Sequence, residues 1–181
     1  VTYIKCETEV HLLKEFIVFW ERHYPDIITG WNTEFFDIPY ICNRIVSLFG
    51  EDELKRLSPW GSVREREVYQ LGRRQQAYDI AGIASLDFMA LYRKFTYTAQ
   101  ESYALNHIAT VELGEQKDGN PYETFSEWYQ KDWQSFIEYN IQDVEIVDKL
   151  EDKMRLVELC LTMAYDAKVN YTDVLGSVKY W

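Results

Sequence analysis

Two short segments carry side chains that could handle a divalent cation. The first reads Thr29-Gly-Trp-Asn-Thr-Glu-Phe-Phe-Asp37-Ile-Pro-Tyr-Ile and sets Asn32 and Asp37 where a short apolar run gives way to a helical pattern. The second reads Phe136-Ile-Glu-Tyr139-Asn-Ile-Gln-Asp143-Val; its phenol and carboxylate fall at i and i+4, on one face of a helix. Mg²⁺ is commonly held by one or two carboxylates plus waters and phosphate oxygens, so a protein needs few ligands of its own. Each segment has a plainer reading as well. Asp37 can act as a helix N-cap, and one carboxylate can cap with one oxygen while binding a cation with the other. Tyr139 can hydrogen-bond to Asp143 within a core that also takes Ile137, Ile141 and Val144.

The elements that must position these residues follow from periodicity and punctuation. Thr8 caps a helix over Glu9–Arg22, whose Val10, Leu13, Ile17 and Trp20 form one stripe. Pro25 ends that region, and Asp26-Ile-Ile-Thr-Gly30 reads as a short buried strand. A second helix covers Ile38 to Phe49, with Asp37 as its cap, Pro39 in its first turn and Gly50 as its stop. Glu51–Leu57 is a short helix closed by Ser58-Pro59. Ser62–Leu86, punctuated by Gly72 and Gly82, reads as a β-hairpin leading into a strand. Asp87–Lys94 and Tyr103–Leu113 are expected helices, Lys117–Glu123 a loop, and Phe125 onward helical. The helical pattern from Asp132 to Ala167 is longer than a usual globular helix, so a break is expected near Glu151-Asp152. Strands alternating with helices give an α/β class, with a sheet too small to be complete.

With 181 residues, of which 47% are hydrophobic, the chain can bury one sizeable core and is not a disordered tail. No apolar run approaches the ~20 residues that span a bilayer, so no membrane partner is expected. Cys6, Cys42 and Cys160 are odd in number and make no ligand pairs with His11, His23 or His107, which argues for reduced intracellular thiols rather than zinc. The net charge of −11 argues at first against nucleic acid. Its distribution is uneven, however: Lys55–Lys94 is net +4 and Phe95–Asp152 net −10. Such asymmetry fits solvated faces, or a basic strip beside an acidic pocket in an enzyme that cleaves a polyanion with cations.

Taken together the segments resemble family B DNA polymerases. Asn32-x-x-x-Phe36-Asp37 matches the second exonuclease motif of that family and Tyr139-x-x-x-Asp143 the third, in the right order. Ser102-Tyr-Ala-Leu105-Asn-His-Ile108-Ala and Leu113-Gly-Glu-Gln-Lys117 resemble the helix and loop that lie between them. Ser85-Leu-Asp-Phe-Met-Ala-Leu-Tyr-Arg-Lys-Phe95 and Met163-Ala-Tyr-Asp-Ala-Lys168 look most like the replicative polymerases of large tailed phages. The resemblance implies an RNase H-like 3′→5′ exonuclease fold with an inserted β-hairpin, residues 1–165 forming the editing domain and 166–181 leading toward the palm. It implies that Asp37 and Asp143 are two of four carboxylates for two Mg²⁺ or Mn²⁺ ions, and that Tyr139 orients the attacking water. It implies that Asn32 and Phe36 contact the terminal nucleotide of a single-stranded or frayed primer end. Arg64, Arg66, Arg73 and Arg74 resemble the basic hairpin that parts primer from template.

One departure matters. The family's first motif, a strand bearing Asp-x-Glu, is not found upstream of Asn32; Glu7-Thr-Glu9 reads instead as the acidic first turn of a helix. The expectation is therefore an N-terminally truncated fragment with an incomplete central sheet. Weak or absent metal binding, little nuclease activity and a sheet edge able to pair with another copy go with it. The opening Val1 agrees with a piece of a longer polymerase chain, placed in host cytoplasm if phage-encoded. The alternative is a module that has lost editing and only holds DNA or scaffolds a polymerase; the presence of Asp37, Tyr139 and Asp143 speaks against it.

Overall fold

The structure is a computed structural model that describes residues 3–70, 72–115 and 121–176, with the side chains of Gln70 and Arg73 outside the description. Two compact units divide the chain, Val1–Asp87 and Phe88–Trp181.

The first unit begins with α1 (Glu9–His23), whose cap Thr8 accepts from the His11 amide at 3.2 Å. Leu13 and Ile17 are its buried residues; Trp20 packs partly, and Val10 is 40% exposed and so off the stripe. Next come β1 (Ile27–Gly30), α2 (Asp37–Phe49) and α3 (Glu51–Leu54), the last continued by a 3-10 turn over Lys55–Leu57. Gly50 stops α2 at φ 90, a backbone that L side chains rarely adopt. The hairpin follows as β2 (Val63–Gln70) and β3 (Arg73–Ile80), paired antiparallel with Val63 opposite Ile80. Then β4 (Ala84–Asp87) returns to lie parallel to β1, with Ile27 opposite Ala84 and Gly30 opposite Asp87.

The core of this unit is built from α1, α2, α3 and the base of the hairpin. Leu13, Ile17, Ile38, Cys42, Ile45, Leu54, Leu57, Tyr78 and Ile80 are buried together. Tyr78 reaches α2 through its hydroxyl, which donates to Asn43 Oδ1 at 2.8 Å. The hairpin is thus fastened to α2 at its base. Among the described residues the β1–β4 sheet has two strands, which agrees with an α/β chain whose central sheet is small.

The second unit is helical: α4 (Phe88–Phe95), α5 (Leu105–Leu113), α6 (Phe125–Lys131), α7 (Trp133–Met154) and α8 (Leu156–Ala167). A 3-10 turn over Tyr171–Leu175 packs back through Val174, which is fully buried. Phe88, Leu91, Tyr92, Ile108, Ile146, Leu150, Leu156 and Cys160 supply the apolar interior. The expected break in the long helix is real but falls later than Glu151-Asp152. It sits at Arg155, which takes a left-handed φ of 56 and separates α7 from α8. The Glu151 side chain bridges the break by accepting from the amides of Val157 and Glu158, at 2.9 and 3.2 Å. That is why Glu151 belongs to the helix and the next αL position makes the break.

Candidate active site

Gly30 ends β1, and a Cβ there would stand 2.5 Å from Cγ2 of Thr33. Any side chain at that point would have to displace the Thr33 methyl as the chain doubles back over the strand end. Asn32 follows at φ 64, a left-handed conformation that Asn tolerates better than most non-glycine residues. The turn then closes on itself: the Phe36 amide donates to the Asn32 carbonyl at 3.1 Å, and the Ile38 amide to the Thr33 carbonyl at 3.0 Å. These bonds deliver the chain into the first turn of α2.

Asp37 is the first residue of α2, and Phe36 holds the cap position without any side-chain cap bond. This corrects the expectation that Asp37 is the N-cap. The carboxylate is instead a first-turn acid, favoured by the helix dipole. Burial around its carboxyl raises the Asp37 pKa, its own backbone amide opposes that, and the charge of Asp87 adds to the rise. A neighbouring cation would favour the ionised form. The Phe36 ring is 65% exposed and stands directly before this carboxylate in the chain.

A third carboxylate, unassigned by sequence reasoning, lies beneath the turn. The sequence pattern puts Asp87 at the start of a helix; it is instead the last residue of β4, and only 2% of it is exposed. Its Oδ1 accepts from the Asn32 amide at 3.3 Å and its Oδ2 from the Glu34 amide at 3.0 Å. A signal was present in the sequence: an acid between Leu86 and Phe88 must find donors if both neighbours are buried. The same turn is tied from the hairpin. Arg66 on β2 donates to Glu34 at 2.5 Å and to Asp79 at 2.8 Å. Burial pulls the Arg66 pKa down, but the hydrogen bonds to Asp79 and Glu34 win and hold it above its ordinary value.

Tyr139 and Asp143 lie on α7, both half-buried, one turn apart as the spacing predicts. The Tyr139 ring meets Trp128 of α6 edge-on, 4.8 Å between centroids, and Phe125 at 6.1 Å. Trp128 is itself 3% exposed and donates through Nε1 to Ser135 Oγ at 3.0 Å. Aromatic packing from Trp128 and Phe125 therefore helps to hold the phenol ring. Val144 does not join a core stripe beside it, being 71% exposed; the buried residues of α7 are Ile146, Val147 and Leu150.

Asn32, Phe36 and Asp37 thus share one turn of the first unit, while Tyr139 and Asp143 share one helix of the second. Of the hairpin cations, Arg73 has its side chain outside the described residues, and Arg74 pairs with Glu67. Arg66 pairs with Asp79 within the hairpin and with Glu34 outside it. Among the described residues no three His, Cys, Asp or Glu side chains gather as a metal cluster. Asn32, Asp37 and Asp143 are nonetheless oxygen donors of the kind that Mg²⁺ takes. No helix among the described residues is long and apolar enough to cross a membrane.

Known proteins resemble this chain along its whole length. The family model "DNA polymerase family B, exonuclease domain" matches residues 1–108. The chain is 38% identical over 183 aligned residues to a DNA-directed DNA polymerase of Escherichia phage RB69. It is 36% identical over 182 to that of Enterobacteria phage T4. In both cases the alignment covers 100% of this chain and 20% of the relative, so the chain spans about a fifth of their length. A DNA polymerase delta catalytic subunit of Caenorhabditis elegans is 32% identical over 169 residues, covering 90% of this chain and 14% of the relative. The chain belongs to family B of the DNA polymerases, as part of the exonuclease domain.

Proposed function

We propose that the chain is part of a 3′→5′ proofreading exonuclease in a DNA-directed DNA polymerase, where it helps to hydrolyse the 3′-terminal nucleotide of DNA. The observation that carries this reading is the Asn32–Asp37 turn: a carboxylate at a helix N-terminus, its pKa raised, directly after the exposed ring of Phe36. Asp37 and Asp143 would hold divalent ions, Mg²⁺ or Mn²⁺, together with carboxylates from the rest of the polymerase. Two such ions supply a hydroxide and stabilise the leaving oxygen when bound.

The chain's own residues do the remaining work. Asn32 and Phe36 receive the terminal nucleotide, the ring offering a face on which an unpaired base can stack. Tyr139, held by Trp128 and Phe125, orients the attacking water through its hydroxyl. The β2–β3 hairpin helps to part primer from template, with Arg73 and Arg74 near its tip. The segment from residue 166 leads toward the palm.

Asp37→Ala and Asp143→Ala in a polymerase carrying this segment test the reading. Each is expected to lower excision of single-stranded DNA by at least about 10²-fold, with nucleotide addition retained. Excision at the parental rate in either variant would reduce the domain to a scaffold that holds DNA. The isolated 181-residue chain is expected to release few or no mononucleotides, since no Asp-x-Glu strand stands upstream of Asn32 in its sequence.

A further inference from the structure

We propose that Asp87 is a positioning residue for the Asn32–Asp37 turn, acting through backbone amides rather than by touching metal or DNA. Its consequence for catalysis rests on the exonuclease reading; its consequence for the turn does not.

A carboxylate with 2% exposure is tolerated only where hydrogen bonds replace its lost water. Both Asp87 oxygens accept from the same turn, one from Asn32 and the other from Glu34. The two donors flank Thr33, so one side chain spans the bend like a staple. Charge-assisted bonds of this kind are stronger than neutral ones. The parallel register that sets Asp87 opposite Gly30 explains why it is there: the carboxylate leaves the end of β4 just where the chain leaves β1.

What is stapled reaches Asp37 through covalent and hydrogen bonds. The Asn32 carbonyl takes the Phe36 amide and the Thr33 carbonyl takes the Ile38 amide. Those two amides flank Asp37. Holding the Glu34 amide holds the Thr33 carbonyl of the same peptide plane, and the Asn32 carbonyl lies between two held planes, so the entry into α2 is restrained with them. Asn32 at φ 64 is the position that most needs such support, because the left-handed well is narrow for a residue with a Cβ. A displacement of about 1 Å at a reacting group can cost about 10²-fold in rate.

The test compares Asp87→Asn and Asp87→Ala in a polymerase carrying this segment, with Asp37→Ala alongside. Asn keeps one acceptor and turns an amide donor toward the other backbone N–H; Ala keeps none. Hydrogen exchange over residues 31–36 should quicken in the order Ala, Asn, parent, by about tenfold or more for Ala. Residues 41–48 should stay protected. Excision kcat should fall about tenfold in the Asn variant and about 10²-fold in the Ala variant, with KM for single-stranded DNA within about twofold. Nucleotide addition reports that the chain is folded, and the Asn variant decides the matter if the Ala variant loses it. Unchanged exchange over 31–36 overturns the proposal. So does quickened exchange with parental kcat while Asp37→Ala is inactive, which would confine Asp87 to stability. An active Asp37→Ala sinks the exonuclease reading instead, and the exchange order alone then judges the staple.

Discussion

Arg66 of β2 and Glu34 of the turn before α2 form an ion pair at 2.5 Å, so the hairpin is anchored to the turn that presents Asp37. Both side chains are under 40% exposed, at 37% and 22%, and the same guanidinium also holds Asp79. The pair joins residues 32 positions apart in the chain.

Arg66→Ala should therefore disturb both elements at once. A stability loss of about 1 kcal/mol is expected from thermal melts, typical of a partly buried charged hydrogen bond. Excision should drop in step, because Glu34 loses its tether. Arg74→Ala removes a more exposed pair with Glu67 and should change stability by less than about 0.5 kcal/mol. Equal effects of the two substitutions would contradict this ranking.

Tyr139→Phe separates ring from hydroxyl. The ring contacts with Trp128 and Phe125 remain, so melting should move by no more than about 1 kcal/mol, while excision falls at least about tenfold. Trp128→Ala should lose both, with about 3–5 kcal/mol of destabilisation from the cavity it leaves. Parental excision rates in Tyr139→Phe would remove the phenol from the reaction.

Glu21 gives a pH test away from the site. Its carboxylate takes two bonds from Arg56, each 2.6 Å, and the Arg56 hydrogen bond, opposed by burial, holds its pKa below the usual 4.5. A depressed carboxyl stabilises the fold above its unfolded pKa and stops doing so as pH falls through the folded value. Glu21→Gln should thus cost about 0.5–1 kcal/mol at pH 7, solvent screening included. The difference should shrink as the pH drops below 4.5 and vanish in acid. Melts of both proteins at neutral and acid pH measure this.

Thiol labelling reads the two interiors. Cys42 is fully buried and its thiol is pushed up to about 12 by burial, its own backbone hydrogen bond opposing. Cys160 is fully buried in the second unit and is also raised by burial, against the nearby Lys94 charge. Only Cys6, half-buried near the N-terminus, should react with a thiol reagent before unfolding. Labelling of Cys42 or Cys160 at the rate of Cys6 would mean that these cores open readily.

Local chemistry carried much of the fold on its own. Thr8 before an apolar stripe, Gly50 after another and Gly72 between two strand-like runs each mark an element through bonds or torsions within a few residues. The pairing of Tyr139 with Asp143 on one helix face needs only the 3.6-residue period. Even the break in the long helix was legible as a length excess, though its place was not: Arg155 adopts a left-handed backbone without the glycine that would announce it. Asp87 and the Arg66–Glu34 pair belong to another class. Asp87 meets amides 55 and 53 positions earlier, and it does so because β4 returns parallel to β1 with Gly30 opposite Asp87. A sequence names the groups able to donate and accept. Which of them meet depends on strand register and hairpin docking, and those are set by burial of side chains far apart in the chain.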